Sequence, residues 1–227
     1  MNGTSSANTA IATAAITGAN IRRNMSAQPE PRLTPEEYLQ LDRASEFRHE
    51  YYQGRMYARS GGSLRHGIII GNLSSELGIA LKGRRCVVAP SDVRVRVSES
   101  GLYTYPDVVV VCDQPVYIDG RRDTVVNPVL VIEVLSPTTE AYDRGFKSAQ
   151  YRTLESLREY ALVSQSEPRV EIFRRQASGD WLLSESTGME TACRFDSVGC
   201  TIALRDIYDK AAFGADDAPG ASPPAQQ

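Results

Sequence analysis

Histidine, cysteine and tryptophan are scarce in this chain, and each scarcity excludes something. Its four cysteines, Cys86, Cys112, Cys193 and Cys200, form no CxxC pair, and its two histidines, His49 and His66, have no ligand spacing with them. A structural zinc site of the usual kind is therefore excluded. Such cysteine usage fits a reducing cytoplasm, with Cys86 and Cys112, in apolar strand contexts, expected to be buried thiols. No Gly-rich phosphate loop and no GxSxG elbow occur, and no apolar run approaches the length of a membrane span. The single tryptophan, Trp181, lies far from the acidic constellation described below, which argues against the aromatic sugar platforms of a glycosidase. A net charge of −3 excludes broad attraction to polyanions. Local basic patches at Arg84-Arg85, Arg94/Arg96 and Arg121-Arg122 remain candidates, with surface solvation as the simpler role for each.

What is present is ordinary globular material, 41% hydrophobic and 23% charged over 227 residues, enough for one domain with tails. Residues 1–30 are rich in Ala, Thr, Ser and Asn, and their short apolar patch Ile11–Ile16 has no basic residue ahead of it. They are expected to be a disordered tail rather than a signal peptide. The Ala/Asp/Pro/Gly-rich stretch 213–227 is expected to be a second tail, leaving residues 31–212 as the domain.

Within that domain Thr34-Pro35-Glu36-Glu37 has the form of a capping box, so a short helix is expected to run to about Arg43. Gln53-Gly54 predicts a tight hairpin, and Gly61-Gly62 breaks the pattern before a helix from about Leu64 to Leu81. Strands are expected at Arg85–Ala89, Val93–Val97, Val108–Val111, Pro128–Ile132, Tyr160–Val163, Val170–Arg174, Trp181–Ser184 and Thr201–Leu204. A helix is expected at Tyr142–Leu157, and a short one at Leu204–Tyr208.

The chain is organised around Tyr105–Tyr151. Its two β-branched runs read as strands buried on both faces, with Asp107 at the start of one and Glu133 at the finish of the other. A carboxylate beside an interior strand is costly unless paired, hydrogen-bonded or metal-bound. Either acid alone reads most simply as a strand-end cap or an ion-pair partner. Two of them with Lys147 suggest a shared cation. Asp143, Lys147 and Tyr151 recur at i, i+4 and i+8 on one helix line, which alone would be a solvated face with one ion pair. Hard oxygen ligands beside a lysine suit Mg²⁺ or Mn²⁺ and a phosphodiester.

Pro106-Asp107, then Glu133-Val134-Leu135, then Lys147, resembles the PD-(D/E)XK nuclease superfamily, and more closely its Uma2 family of restriction-endonuclease-like proteins. The resemblance spans Leu33 to Leu204. It rests on Thr34–Tyr38, Glu50, His66, the blocks Tyr105–Val110 and Pro128–Thr138, Lys147 with Tyr151, and Glu159–Val163. It implies an α/β fold (an α+β mixed sheet) with a restriction-endonuclease-like core flanked by helices. It also implies Asp107 and Glu133 as metal ligands, with Glu50 as a third acidic group. One departure stands out: the superfamily's lysine follows the acidic residue by two, where this chain has Leu135. The Uma2 pattern implies that Lys147, from the following helix, takes that place. On this reading Tyr151 supports Lys147, and His66, otherwise a structural histidine beside a helix start, is a candidate phosphate or water contact.

The resulting expectation is a Mg²⁺-dependent (or Mn²⁺-dependent) DNA endonuclease in the cytoplasm with no membrane association. A homodimer is the expected assembly, because nucleases that cut both strands often pair. With no recognition domain visible outside the core, specificity would fall to loops near Gly61 and Asp119-Gly120, or to a partner. The rival is a catalytically silent nucleic-acid-binding or protein-interaction module on the same fold, since fold does not fix activity.

Overall fold

A computed structural model describes residues 32–59, 61–97 and 100–213. The expected tails 1–30 and 213–227 lie outside the described residues except for Phe213, whose ring lies 5.5 Å from that of Tyr208. In order come α1 (Pro35–Ala44), β1 (His49–Tyr52), β2 (Arg55–Ala58), α2 (Leu64–Ala80), β3 (Cys86–Pro90) and β4 (Arg94–Val97). There follow β5 (Leu102–Thr104), β6 (Val108–Cys112), β7 (Thr124–Val125) and β8 (Leu130–Leu135). Next are α3 (Glu140–Tyr142), a π-helical turn (Asp143–Lys147) and α4 (Ser148–Tyr151). The chain closes with β9 (Glu159–Ser164), β10 (Arg169–Arg175), β11 (Trp181–Thr187), β12 (Ala192–Phe195), β13 (Cys200–Ala203) and α5 (Leu204–Ile207).

The strands form a mixed α+β architecture: a six-stranded sheet ordered β11-β10-β9-β8-β6-β3, a five-stranded sheet ordered β2-β1-β5-β4-β7, and the pair β12-β13. Within the larger sheet β8 and β9 run parallel, and the other neighbours are antiparallel. Successive strand side chains point to opposite faces, so the sheet carries two cores. Val108, Val110, Leu130, Ile132 and Val134 pack with Ile69, Leu73 and Leu77 of α2. Val109, Val111, Val131 and Leu135 pack on the other face, with Val95, Val97 and Leu102 of the smaller sheet.

Local chemistry explains the element ends. Thr34 and Glu37 make the reciprocal hydrogen bonds of a capping box. Gln53 (φ 48°) and Gly54 (φ 87°) supply the left-handed pair that a two-residue hairpin needs, and a Cβ on Gly54 would meet Arg32.

Four expectations need correction. The helix expected over Tyr142–Leu157 ends at Tyr151, because the Arg175 guanidinium donates to the carbonyls of Arg152, Leu154 and Leu157 and holds that stretch as turns. Its middle is a π turn in which the Ser148 N–H reaches back five residues to the Asp143 carbonyl. Glu133 lies within its strand, not at the finish, since β8 continues to Leu135. Cys86 and Cys112 are not buried thiols: the antiparallel β3–β6 register sets them opposite one another, half-buried and joined in a disulfide. Arg94 is no surface patch. It is 3% exposed and its guanidinium donates to Asp42 at 2.5 Å and Thr124 at 2.6 Å.

That arginine centres an ion cluster joining α1 to the smaller sheet. Asp42 is fully buried; besides Arg94 it accepts from the Tyr105 hydroxyl and from the His49 N–H at 2.8 Å. Nearby, Arg43 grips Asp123 through two 2.8 Å bonds and reaches Asp119, so the Asp119-Gly120 loop is tied down. Burial would raise the Asp42 pKa, but the Tyr105, Arg94 and His49 hydrogen bonds outweigh it and hold the carboxyl low. A folded-state pKa below the unfolded one means stability present above about pH 4 and lost as pH falls further.

Asp42→Ala should cost about 3–5 kcal/mol, because it leaves Arg94 buried and uncompensated. Urea unfolding at pH 7 checks this, and a loss under about 1 kcal/mol would contradict it.

Candidate active site

The β6–β8 register pairs Val108 with Ile132 and Val109 with Val131, so the next step sets Asp107 against Glu133. Directly opposed residues share a face. Both acids therefore sit on the side that looks toward the smaller sheet, in line with Val109 and Val131. Each is held by the other's strand: the Asp107 N–H donates to Glu133 Oε2 at 3.4 Å, and the Val134 N–H donates to Asp107 Oδ2 at 2.8 Å. From the smaller sheet Glu50 of β1 faces the same space, accepting from the Thr104 hydroxyl at 2.6 Å and the Tyr142 hydroxyl at 3.1 Å.

Leu135, two residues past Glu133, shares its face but is 4% exposed within the apolar cluster of Val131, Tyr151 and Leu162. The ammonium comes instead from the π turn. Lys147 Nζ lies 3.3 Å from Glu133, 3.2 Å from Glu50 and 3.1 Å from Asp143. Lys147 and Asp143 do pair at i, i+4, but in the interior and together with two further carboxylates. Tyr151, one turn on, donates to Glu133 at 3.0 Å from behind the site.

The two strand acids have opposite electrostatic settings. Burial would raise the Asp107 pKa, yet His66 (Nε2 at 3.4 Å), the Val134 N–H and Arg59 (3.2 Å) hold it below the usual carboxylate range. For Glu133 burial wins: with Asp143 and Asp107 adding repulsion, it pushes the carboxyl up to about 8 despite Lys147 and Arg59. Burial disfavours the Lys147 ammonium, but Glu133, Glu50 and Asp143 together outweigh it and raise its pKa, so the lysine stays charged. Burial likewise keeps Tyr151 a neutral phenol.

These groups adjoin a cavity of about 730 Å³. Glu50, His66, Asp107, Glu133 and Lys147 line it, while Tyr151 supports it from within the core. A Cβ on Gly62 would lie 2.5 Å from the His66 ring, so the Gly61-Gly62 break is what lets that imidazole approach. Arg59, Thr104 and Tyr142 escape sequence reasoning; they carry no motif spacing and reach the site only through sheet pairing or the π turn. Asp143 was legible only as a lysine partner at i, i+4.

Four carboxylates, Glu50, Asp107, Glu133 and Asp143, face two permanent cations, Lys147 and Arg59. With all four ionised the shortfall is two positive charges, and the raised Glu133 pKa is in keeping with that crowding of negative charge. Hard oxygen donors and a shortfall of two fit Mg²⁺ or Mn²⁺. Among the described residues no group of three acidic, imidazole or thiol side chains is gathered into a ready metal cage.

Residues 35–202 match the Uma2 family model, described as "Putative restriction endonuclease". Two proteins of Synechocystis sp. are similar along nearly their whole length. The uncharacterized protein slr1290 is 37% identical over 187 residues, 82% of this chain and 96% of that one. The uncharacterized protein sll1609 is 35% identical over 163 residues, 72% of this chain and 92% of that one. A crystal structure from Anabaena variabilis, titled a putative nuclease belonging to DUF820, superposes with a TM-score of 0.64. At 17% identity, over 79% of this chain and 99% of that one, it shows a shared fold. No helix among the described residues is long and apolar enough to cross a membrane.

A carboxyl whose folded pKa exceeds its unfolded one binds an extra proton on folding, so it erodes stability as pH rises from about 4.5 to about 8. Glu133→Gln removes that erosion. In EDTA it should raise the urea midpoint more at pH 9 than at pH 5; an equal or opposite change would contradict the assignment.

Proposed function

Because this chain belongs to the Uma2 family, we propose that it is a metal-dependent DNA endonuclease, with Asp107, Glu133 and Lys147 at its centre. The observation that carries this reading is the buried acidic cluster, two positive charges short, on the wall of a cavity. Asp107 and Glu133 would hold Mg²⁺ or Mn²⁺, with Glu50 completing the acidic set. When bound, such a cation neutralises phosphate charge and acidifies water for attack on the phosphodiester.

The chain's own residues divide the remaining work. Lys147 is held protonated, so it serves as a charged donor and not as a base. It orients the attacking water or stabilises charge developing on the phosphate. Tyr151 fixes the Glu133 carboxylate, and Glu50 with Asp143 fixes the lysine. Arg59 and His66, both beside Asp107 on the cavity wall, are placed to contact phosphate oxygens.

One observation favours the rival, a catalytically silent binding module. Lys147 is already enclosed by three carboxylates, which is how a closed structural cluster also looks.

Supercoiled plasmid with Mg²⁺ or Mn²⁺ separates the two. Wild type should nick or linearise it, and Glu133→Ala and Lys147→Ala should each lose about 100-fold or more, the scale of removing one preorganised electrostatic group. Loss in Glu133→Ala alone would reject the role given to Lys147. No cleavage of plasmid, linear duplex or single strand by wild type would favour the silent module.

A further inference from the structure

The cavity also has an aromatic wall. Tyr52, Tyr57, Tyr142 and Phe146 all line it. Tyr142 and Phe146 stack at 5.3 Å with 12° between their planes, and Tyr52 meets Phe146 edge-on at 4.8 Å. Tyr57 differs from these three. It stands directly opposite Glu50 in the β1–β2 register, so the two share a face, yet the residue is 49% exposed. An aromatic ring half open to solvent beside a buried acidic cluster has no packing reason to be there.

Arg59 lies two residues beyond Tyr57, and the 3.0 Å bond from its N–H to the Arg48 carbonyl continues the strand ladder. Residues two apart along a strand share a face, about 6.8 Å from one another. One strand edge therefore brings a ring and a guanidinium to the same cavity. That is the donor set of a nucleotide site: a stacking surface for the base and a positive group for its phosphate.

The depth of the acids selects the form of the nucleic acid. Asp107, Glu133 and Lys147 are 3%, 2% and 5% exposed, so a scissile phosphate must enter the cavity to meet them. A paired backbone is stiff and carries its bases inward, whereas an unpaired strand can turn a base aside onto an aromatic wall. Tight duplex binding also relies on many Lys and Arg contacts to phosphates. Arg59 is the one guanidinium among the described residues that lines this cavity. Arg94 is buried in the α1 cluster, and Arg84 donates to the carbonyls of Val198 and Gly199.

We propose that Tyr57, which lines the same cavity as the Tyr142–Phe146 stack, is a base-stacking subsite, and that the cavity takes unpaired nucleotides of single-stranded or locally opened nucleic acid. This rests on the nuclease reading for what happens to the strand, but not for whether it binds.

Binding is therefore measured apart from cleavage. A fluorescein-labelled 15-nucleotide oligothymidylate and a blunt duplex of equal length are titrated in EDTA with wild type, Tyr57→Ala and Tyr57→Phe, read by anisotropy. The single strand should bind at least tenfold tighter than the duplex. Tyr57→Ala should weaken it by about 5- to 150-fold, the worth of one stacked base, while Tyr57→Phe stays within about threefold of wild type. Equal affinity for the duplex, an unchanged Tyr57→Ala, or no binding of the single strand would each overturn the proposal. The same substrates with Mn²⁺ then test the nuclease reading: absence of cleavage sinks that reading, while the anisotropy still decides whether Tyr57 stacks a base.

Discussion

The site depends on one interaction, the burial of the Lys147 ammonium among Glu133, Glu50 and Asp143. No partner alone would hold an ammonium in the interior, because desolvation costs more than one ion pair returns. Three carboxylates hold it, and in doing so draw β1, β8 and the π turn to one point. The arrangement overshoots. With Asp107 the carboxylates exceed the cations by two, and Glu133, the most deeply desolvated, takes up a proton more readily than a carboxyl ordinarily does.

The second buried ion cluster shows that such an imbalance is no general habit of this fold. Around Arg94, Asp42 accepts from a guanidinium, a phenol and a backbone N–H, and its carboxyl is held low. Asp123 nearby is gripped by Arg43, whose hydrogen bonds hold its carboxyl down at about 2. Every acid there has its own donor, and Asp42 is fully buried. That cluster anchors α1. The Lys147 cluster instead keeps a carboxyl in an unfavourable setting on the wall of a cavity, which fits a group waiting for a cation.

Much of this was legible in the chain. The β-branched runs around Asp107 and Glu133 announced interior strands, and the capping box and the Gln53-Gly54 turn predicted the ends that form. Alternation along the runs puts Asp107 and Glu133 on one face once the register is known, but register is a long-range property that no local pattern states. For the same reason the Cys86–Cys112 pairing and the places of Tyr57 and Arg59 were hidden. Leu135 was readable as a departure from the superfamily pattern, and the placing of Lys147 beside Glu133 was implied by resemblance. The π turn that carries Lys147 inward was not readable, because a strict i, i+4, i+8 line looks like an ordinary α-helix. Arg94, in an alternating Val/Arg strand, looked like a solvated charge, since its partner Asp42 is 52 residues away.

The central claim is that the acidic cluster is built to receive a divalent cation. Titration of the metal-free protein with Mn²⁺, followed by electron paramagnetic resonance of the free ion, tests it most directly. The account predicts one Mn²⁺ per chain, bound more tightly at pH 8.5 than at pH 6.5 as Glu133 gives up its proton, and lost in both Glu133→Gln and Asp107→Asn. Stoichiometric binding that survives both substitutions, or no binding by wild type at pH 8.5, would contradict it.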